Sequence, residues 1–243
     1  MKSEVDFYSE YTSTSMLVGQ DQEKLTEWSI GYFNANILPH LPADKNARII
    51  DAGCGYGRHI KALKENGYTN VIGLDISEEQ IAYAQSEFGL DNVFVRDAFE
   101  FFEHDNSTFD AVLLLDVLEH LETDKSVQLI RLIKNALKAG GAFIIQAPNA
   151  ISPLSPNRHW DLTHQRAYTT HSMQQTLLLG GFTQENIACL EIPPHVHGLK
   201  SLARRIVWSC ILKPLFSTYM LAANGDLMGG IFSNNMLAVA RKR

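Results

Sequence analysis

The chain has 243 residues, 45% hydrophobic and 20% charged, enough apolar material for one large α/β domain and too much for a disordered segment. A formal net charge of −6, with nine His left out of the sum, argues against general phosphate-backbone binding as its main role. Three cysteines (Cys54, Cys189 and Cys210) are too few and too widely spaced for a disulfide framework or a cysteine-rich zinc site. They fit a reducing cytoplasm, and the acidic start MKSEVDFYSEY does not read as a signal peptide. No run of 18 apolar residues is present, so no membrane-spanning helix is expected.

The predicted elements alternate along the chain. Residues 21–38 carry a helical apolar pattern (Leu25, Trp28, Ile30, Tyr32, Phe33, Ile37, Leu38) closed by Pro39 and Pro42. A buried strand follows at 48–53, then a helix at 58–66 stopped by Gly67. Strand 71–76 leads into a helix capped by Ser77, and a third strand is read at 93–98. The run FDAVLLL at 109–115 is nearly all apolar, as a strand covered on both faces should be. A helix at 124–137 ending at Gly140-Gly141 and a strand at 142–147 complete the alternation. Strands separated by helices imply right-handed crossovers and a parallel sheet.

After Pro148 the rhythm changes. Residues 149–169, rich in Pro, Asn, Ser and His, read as a long functional loop. A helix at 170–179, a strand near 186–192 and a last strand at 236–240 follow, with 193–230 as an insertion. The expected fold is a doubly wound, mostly parallel seven-stranded sheet whose last strand is antiparallel. It is expected to form a single domain, 1–243, divided into an N-terminal helical lid (1–44), a ligand-binding core (45–148) and a substrate loop with insertion and final strands (149–243). Phe7, Tyr8 and Tyr11 are the candidate lid aromatics.

The first strand runs into Asp51-Ala-Gly53-Cys-Gly55-Tyr-Gly57, and in open parallel sheets ligands bind at the carboxyl ends of strands. Alternate glycines let the backbone pass close beneath a ligand. The dinucleotide pattern G-x-G-x-x-G is absent, because Arg58 occupies its third glycine position, and no G-K-[ST] follows. Asp75 ends the second strand 22 residues after Gly53, Asp97 stands at the end of the third in R-D-A, LDVLEH (115–120) follows the fourth, and LKAGG (137–141) precedes the fifth.

With these features in order, the chain resembles class I S-adenosylmethionine-dependent methyltransferases over roughly residues 45–148. The resemblance implies S-adenosyl-L-methionine as cofactor and a Rossmann-like methyltransferase fold. It implies cofactor contacts from Asp51, Gly53, Cys54, Gly55 and Gly57, from Asp75 and Ile76 (ribose), from Asp97 and Ala98 (adenine) and from Leu115 (methionine moiety). A buried Asp51 at the tip of an apolar strand needs a donor in any case. Cys54 reads from its small apolar character as a space-filler.

Methyl transfer is an in-line displacement, so positioning supplies most of the catalysis and a base is needed only for a hydroxyl acceptor. Histidine suits that role near neutral pH, and His164 and His120 are the candidate catalytic residues. His159, Trp160, Arg166 and Tyr168 in the 149–169 loop are candidate substrate contacts, through flat aromatic faces and a guanidinium. His159, Asp161 and His164 have metal-ligand types, but spacing in a Pro-flanked loop fixes no geometry, and no metal is expected.

The runs after Pro148, D-L-T-H-Q-R-A-Y-T and H-G-L-K-S-L-A-R-R-I-V-W, resemble methyltransferases of bacterial surface-polysaccharide or lipid-linked sugar pathways. This implies O-methylation of a sugar hydroxyl or a phosphate-type group on a small or glycan-type acceptor. A quinone or other aromatic acceptor and a catalytically silent cofactor-binding subunit are the alternatives, and a nucleic-acid acceptor is not expected. The 192–225 stretch holds Lys200, Arg204, Arg205 and Lys213 and no acidic residue. Its apolar residues fall almost all round a helical period, which favours burial over a surface role. A peripheral contact through 199–216 at the inner membrane face and a homodimer are left open.

Overall fold

The computed structural model describes residues 22–105 and 108–243; the aromatic segment around Phe7, Tyr8 and Tyr11 lies outside the described residues. The strands are β1 (Ile49–Ala52), β2 (Val71–Asp75), β3 (Val93–Val95), β4 (Phe109–Leu115), β5 (Leu137–Pro148), β6 (Ile187–Glu191) and β7 (Asn235–Arg241). They form one seven-stranded sheet in the order β3-β2-β1-β4-β5-β7-β6. β1 pairs in parallel with β2 and β4, β2 with β3, and β7 runs antiparallel to β6, as the sequence predicts. The chain divides into two compact units, one reaching Leu115 and including Leu132–Phe143 and Lys242–Arg243, the other made of Asp116–Arg131 and Ile144–Arg241.

In the first unit, every residue of β1 is buried, and β4 is buried along its length apart from Asp110. That is why these segments are continuous apolar runs without alternation. α1 (Gln22–Asn36) and α2 (Arg58–Glu65) meet through Phe33 and His59, whose rings stack at 5.7 Å. α3 (Glu78–Phe88) is capped as expected, the Ser77 side chain accepting from Gln80 N at 3.3 Å.

Two boundaries differ from expectation. β3 ends at Val95 because Asp97 turns out of the strand to cap α4 (Ala98–His104), accepting from Glu100 N at 3.0 Å. α4 was not foreseen; it buries Phe101 and Phe102, which form a cluster with Phe109. β5 begins at Leu137, before the Gly140-Gly141 pair expected to end the helix. Gly140 N donates to Lys242 O at 2.7 Å and Lys242 N to Gly141 O at 3.0 Å, so a backbone partner distant in sequence extends the strand. α5 spans Thr123–Ala136.

In the second unit, the 149–169 segment holds the short α6 (Pro156–Trp160), and α7 (Thr170–Leu179) starts with a reciprocal Thr169–Ser172 capping box. The larger departure is the insertion. Leu199–Asn224 is one helical rod of 26 residues, built from α8 (Leu199–Val207), a π-helical turn (Trp208–Leu212) and α9 (Lys213–Asn224). By length and apolar composition it suffices to cross a membrane, which corrects the expectation that no such helix exists. Four cations interrupt the apolar run, and counting consecutive apolar residues therefore missed it.

Burial is corrected as well. Ser201, Arg205, Trp208, Leu212, Phe216 and Met220 face their own unit, whereas Leu199, Leu202, Ile206, Val207, Ile211, Leu215 and Tyr219 are exposed. The inward residues recur at a spacing slightly longer than a 3.6-residue turn, and the π turn supplies the extra residue. Pro214 explains why the turn sits there: it lacks an N–H and its ring crowds the carbonyl four residues back, which a widened turn relieves.

Candidate functional site

The first candidate site is the bend between β1 and α2. Gly53, Gly55 and Gly57 have φ of 84°, 54° and 83°, the left-handed region that disfavours side chains. Gly53 N and Cys54 N both donate to Leu74 O, at 2.7 and 2.8 Å, which lashes the bend to β2. A Cβ on Gly57 would lie 2.5 Å from Leu90 Cδ1 and 3.1 Å from the Ala84 Cβ, whereas one on Gly55 would meet the movable Gln80 Oε1 at 2.7 Å. The Cys54 thiol is buried and fills the space beside Gly73, whose own Cβ would lie 2.8 Å from Sγ. Burial, then the charges of Asp51 and Asp75, push that thiol well above its usual range.

Asp75, at the end of β2, accepts from Gly55 N through Oδ2 at 2.8 Å and from Ser77 N through Oδ1 at 2.9 Å. With the Ile76 N–H also engaged, the carboxylate still keeps acceptor capacity for a ligand hydroxyl. Burial raises its pKa against the lowering effect of those N–H groups. Asp51 is fully buried, its Oδ2 3.6 Å from His59 Nδ1, and neither carboxylate oxygen has a hydrogen-bond donor among the described residues. A buried carboxylate without donors is costly unless a ligand supplies them. Ile76 is exposed beside Asp75, Leu115 is buried at the end of β4, and Asp97 and Ala98 open α4, with Asp97 Oδ1 occupied as its cap.

The second candidate site lies in the second unit. After β4, Asp116 adopts a left-handed φ of 58°, and both its oxygens accept from Gln146 Nε2, at 3.0 and 2.8 Å. Such strain in a non-glycine residue persists where surrounding bonds fix it, and functional sites concentrate it. A 3-10 turn at Leu118–His120 follows. The 157–168 segment is fastened to it: Gln165 N donates to Glu119 O at 2.8 Å and Gln165 Nε2 to His120 O at 2.8 Å. These bonds bring His120 and His164 together edge to face, ring centroids 4.7 Å apart.

Thr163 sets the proton position on His120. Its hydroxyl donates to Asp161 Oδ1 at 2.6 Å, so its oxygen accepts from His120 Nδ1 at 2.7 Å. The proton sits on Nδ1, and Nε2 is the basic nitrogen. Burial, then His164, hold the His120 pKa down to about 4. His164 donates from Nδ1 to Asn157 O at 2.7 Å, which points its Nε2 at Glu119 Oε1, 3.8 Å away. Glu119 is fully buried and neither oxygen has a hydrogen-bond donor among the described residues; burial, then Asp116, push its pKa well up. Glu119, His120 and His164 each offer a ligand atom, all within 4.8 Å of one another, a donor set a divalent cation could use. The trio His159, Asp161 and His164, which the sequence reading sets aside as a metal site, is not the one brought together, since Asp161 is tied to Thr163.

The candidate substrate contacts separate. His159 and Trp160 are exposed at the end of α6, Trp160 to 77%. Arg166 donates to the Thr123 hydroxyl. Tyr168 is corrected: it is 3% exposed, and its hydroxyl bonds Leu118 O at 3.3 Å and Ser126 Oγ at 3.5 Å, making it a core strut instead of a ligand-facing ring. Glu119, Thr163 and Gln146 were not singled out as site residues from the sequence, and Asp161 was considered only as a metal-ligand type. The only signal was the clustering of acids and histidines in LDVLEH and DLTH.

Residues 49–141 match the family model described as "Methyltransferase domain". The ubiquinone biosynthesis O-methyltransferase, mitochondrial, of Dictyostelium discoideum is 31% identical over 123 residues, 45% of this chain and 37% of that protein. A tRNA U34 carboxymethyltransferase of Saccharophagus degradans is 28% identical over 131 residues, 52% of this chain and 40% of that protein. The chain thus spans about two fifths of the length of these curated relatives. The crystal structure of a SAM dependent methyltransferase from Archaeoglobus fulgidus superposes with TM-score 0.66 at 20% identity, covering 98% of this chain and all of that one. Phosphoethanolamine N-methyltransferase 2 of Haemonchus contortus, in complex with S-adenosyl-L-methionine, gives TM-score 0.64 at 18% identity, covering 100% of this chain and 61% of that one.

Proposed function

We propose that this chain, which carries a class I S-adenosylmethionine-dependent methyltransferase domain with a Rossmann-like fold, transfers a methyl group to an oxygen of a small or glycan-type acceptor. The residues present fit the cofactor. The buried Asp51 carboxylate, without a donor among the described residues, calls for a cationic or N–H group, and the three glycines of the bend carry no side chain of their own toward a ligand. Asp75 keeps acceptor capacity for ribose hydroxyls at the end of β2. When bound, S-adenosyl-L-methionine supplies a methyl group already activated on a sulfonium. Asp51 and Asp75 orient it, and the lashed bend fixes the backbone beneath it.

The observation that carries the O-methyl reading is the Asp161–Thr163–His120 chain of hydrogen bonds. It holds His120 in one tautomer with its basic nitrogen defined, as removal of a hydroxyl proton requires. Glu119 and His164 act on that ring as neighbours: His164 packs against it, and the Glu119 carboxyl lies 3.8 Å from His164 Nε2. Trp160 offers an exposed face for a sugar ring, which supports a surface-polysaccharide or lipid-linked sugar acceptor. The same face would serve a quinone or other aromatic acceptor, the second reading. The −6 net charge supports neither a tRNA nor a DNA acceptor.

Calorimetric titration with S-adenosylhomocysteine tests the cofactor half, and absence of binding to the wild type overturns the proposal. Methyl acceptance from labelled S-adenosylmethionine by sugar nucleotides and by phenols then separates the acceptor classes. Binding of the product without turnover on any acceptor, unaltered by His120→Ala, would mark a silent subunit.

A further inference from the structure

The helical rod Leu199–Asn224 carries apolar residues both toward its own unit and outward. Its polar anchors point inward: Arg205 donates to Pro194 O at 3.1 Å, and Lys213 pairs with Glu191 at 2.5 Å. Phe216 packs against Phe232 with ring centroids 6.2 Å apart and planes tilted by 47°. Its outward face is largely apolar, with Ile211 and Leu215 58% and 59% exposed, and is interrupted by Lys200, Arg204, Ser209 and Thr218. Lys200 and Arg204 are exposed near its start, and no acidic residue occurs from 192 to 225.

We propose that this face is a monotopic membrane-binding surface that lies in the plane of an anionic bilayer. Charge selects this occupant. A patch whose exposed charges are all cationic, in a chain of net charge −6, matches an anionic headgroup layer, and a second copy of the chain would present the same cations to it. Three ties, from Arg205, Lys213 and Phe216, hold the middle of the rod against its own unit, which favours lying along the bilayer surface over crossing it. The apolar side chains sink to the acyl boundary while Lys200 and Arg204 reach headgroup phosphates. This inference does not depend on the methyl-transfer reading.

The test is flotation of the full chain with vesicles of phosphatidylcholine and phosphatidylglycerol, 3:1, and of phosphatidylcholine alone. The wild type should float with the mixed vesicles and release in high salt. Ile211→Asp with Leu215→Asp should weaken partition by more than about tenfold. Lys200→Glu with Arg204→Glu should abolish the preference for anionic vesicles. Circular dichroism and S-adenosylhomocysteine affinity should stay unchanged in both variants, which separates lost membrane contact from lost fold. No flotation of the wild type overturns the proposal, as does a lipid-free dimer that Ile211→Asp dissociates while flotation persists.

Discussion

The glycine bend after β1 and the histidine cluster around Leu118–His120 are built on opposite plans. The bend is a backbone structure: three glycines within five residues, one carboxylate from the neighbouring strand, and lashings to Leu74 O. The cluster is a side-chain structure: residues 116 to 120, 146 and 157 to 165 converge through bonds both long-range (His120–Thr163, Asp116–Gln146) and local (His164–Asn157). A backbone site tolerates side-chain change around it but not at its glycines. A converged cluster distributes its geometry over many bonds and concentrates its chemistry in one ring.

That contrast can be broken first at His120. His120→Ala should lower turnover by about 10²–10⁴-fold and leave S-adenosylhomocysteine affinity within about twofold. A loss of product affinity instead would merge the two sites into one function.

Gly57→Ala comes next. The left-handed φ and the wall of Leu90 and Ala84 should cost about 2–4 kcal/mol by denaturant unfolding. Gly55→Ala, opposed only by the Gln80 side chain, should cost about 1 kcal/mol. Equal costs would show that the bend is less rigid than its bonds imply.

Asp75→Asn keeps the shape of the clamp and removes its charge, and should weaken product binding by about 1.5–3 kcal/mol in calorimetry while the protein stays folded.

The smallest net effect is on pH dependence. The folded-state pKa of His120, about 4, lies below its unfolded value of about 6.5. The native state therefore binds fewer protons there, and this contribution to stability is full above pH 6.5 and lost as pH falls toward 4. Glu119 runs the other way: its raised pKa gives stability below about pH 4.5 that is lost as pH rises through the folded value. His120→Asn should flatten the loss between pH 6.5 and 4.5 by about 1–3 kcal/mol in denaturant titrations at each pH, and an unchanged slope would place the sensitivity elsewhere.

The first plan was legible in the sequence and the second was not, for a physical reason. Asp51, the glycines and Asp75 are set by local conformational need and by strand ends, which periodicity and spacing report directly. The pairing of β7 with β6 and the apolar run of β4 were readable on the same grounds. His120 and His164 could be named, but not their mutual contact, because Gln165 and Thr163 make it across more than forty residues. Tyr168 looked like a ligand face because a buried aromatic and an exposed one have the same sequence signature. The rod at 199–224 was misjudged for a related reason: apolar residues on every side imply burial only if something covers them.

The widened turn at Trp208–Leu212 makes the rod unusually sensitive to insertions and deletions. Removing a single residue there would restore an ordinary helix and swing everything after it by roughly a quarter turn. Lys213 would leave Glu191, Phe216 would leave Phe232, and aliphatic side chains would turn onto the protein while its inner seam turned out. Point changes along the exposed side should be absorbed, whereas a frame-preserving codon loss at this spot should not.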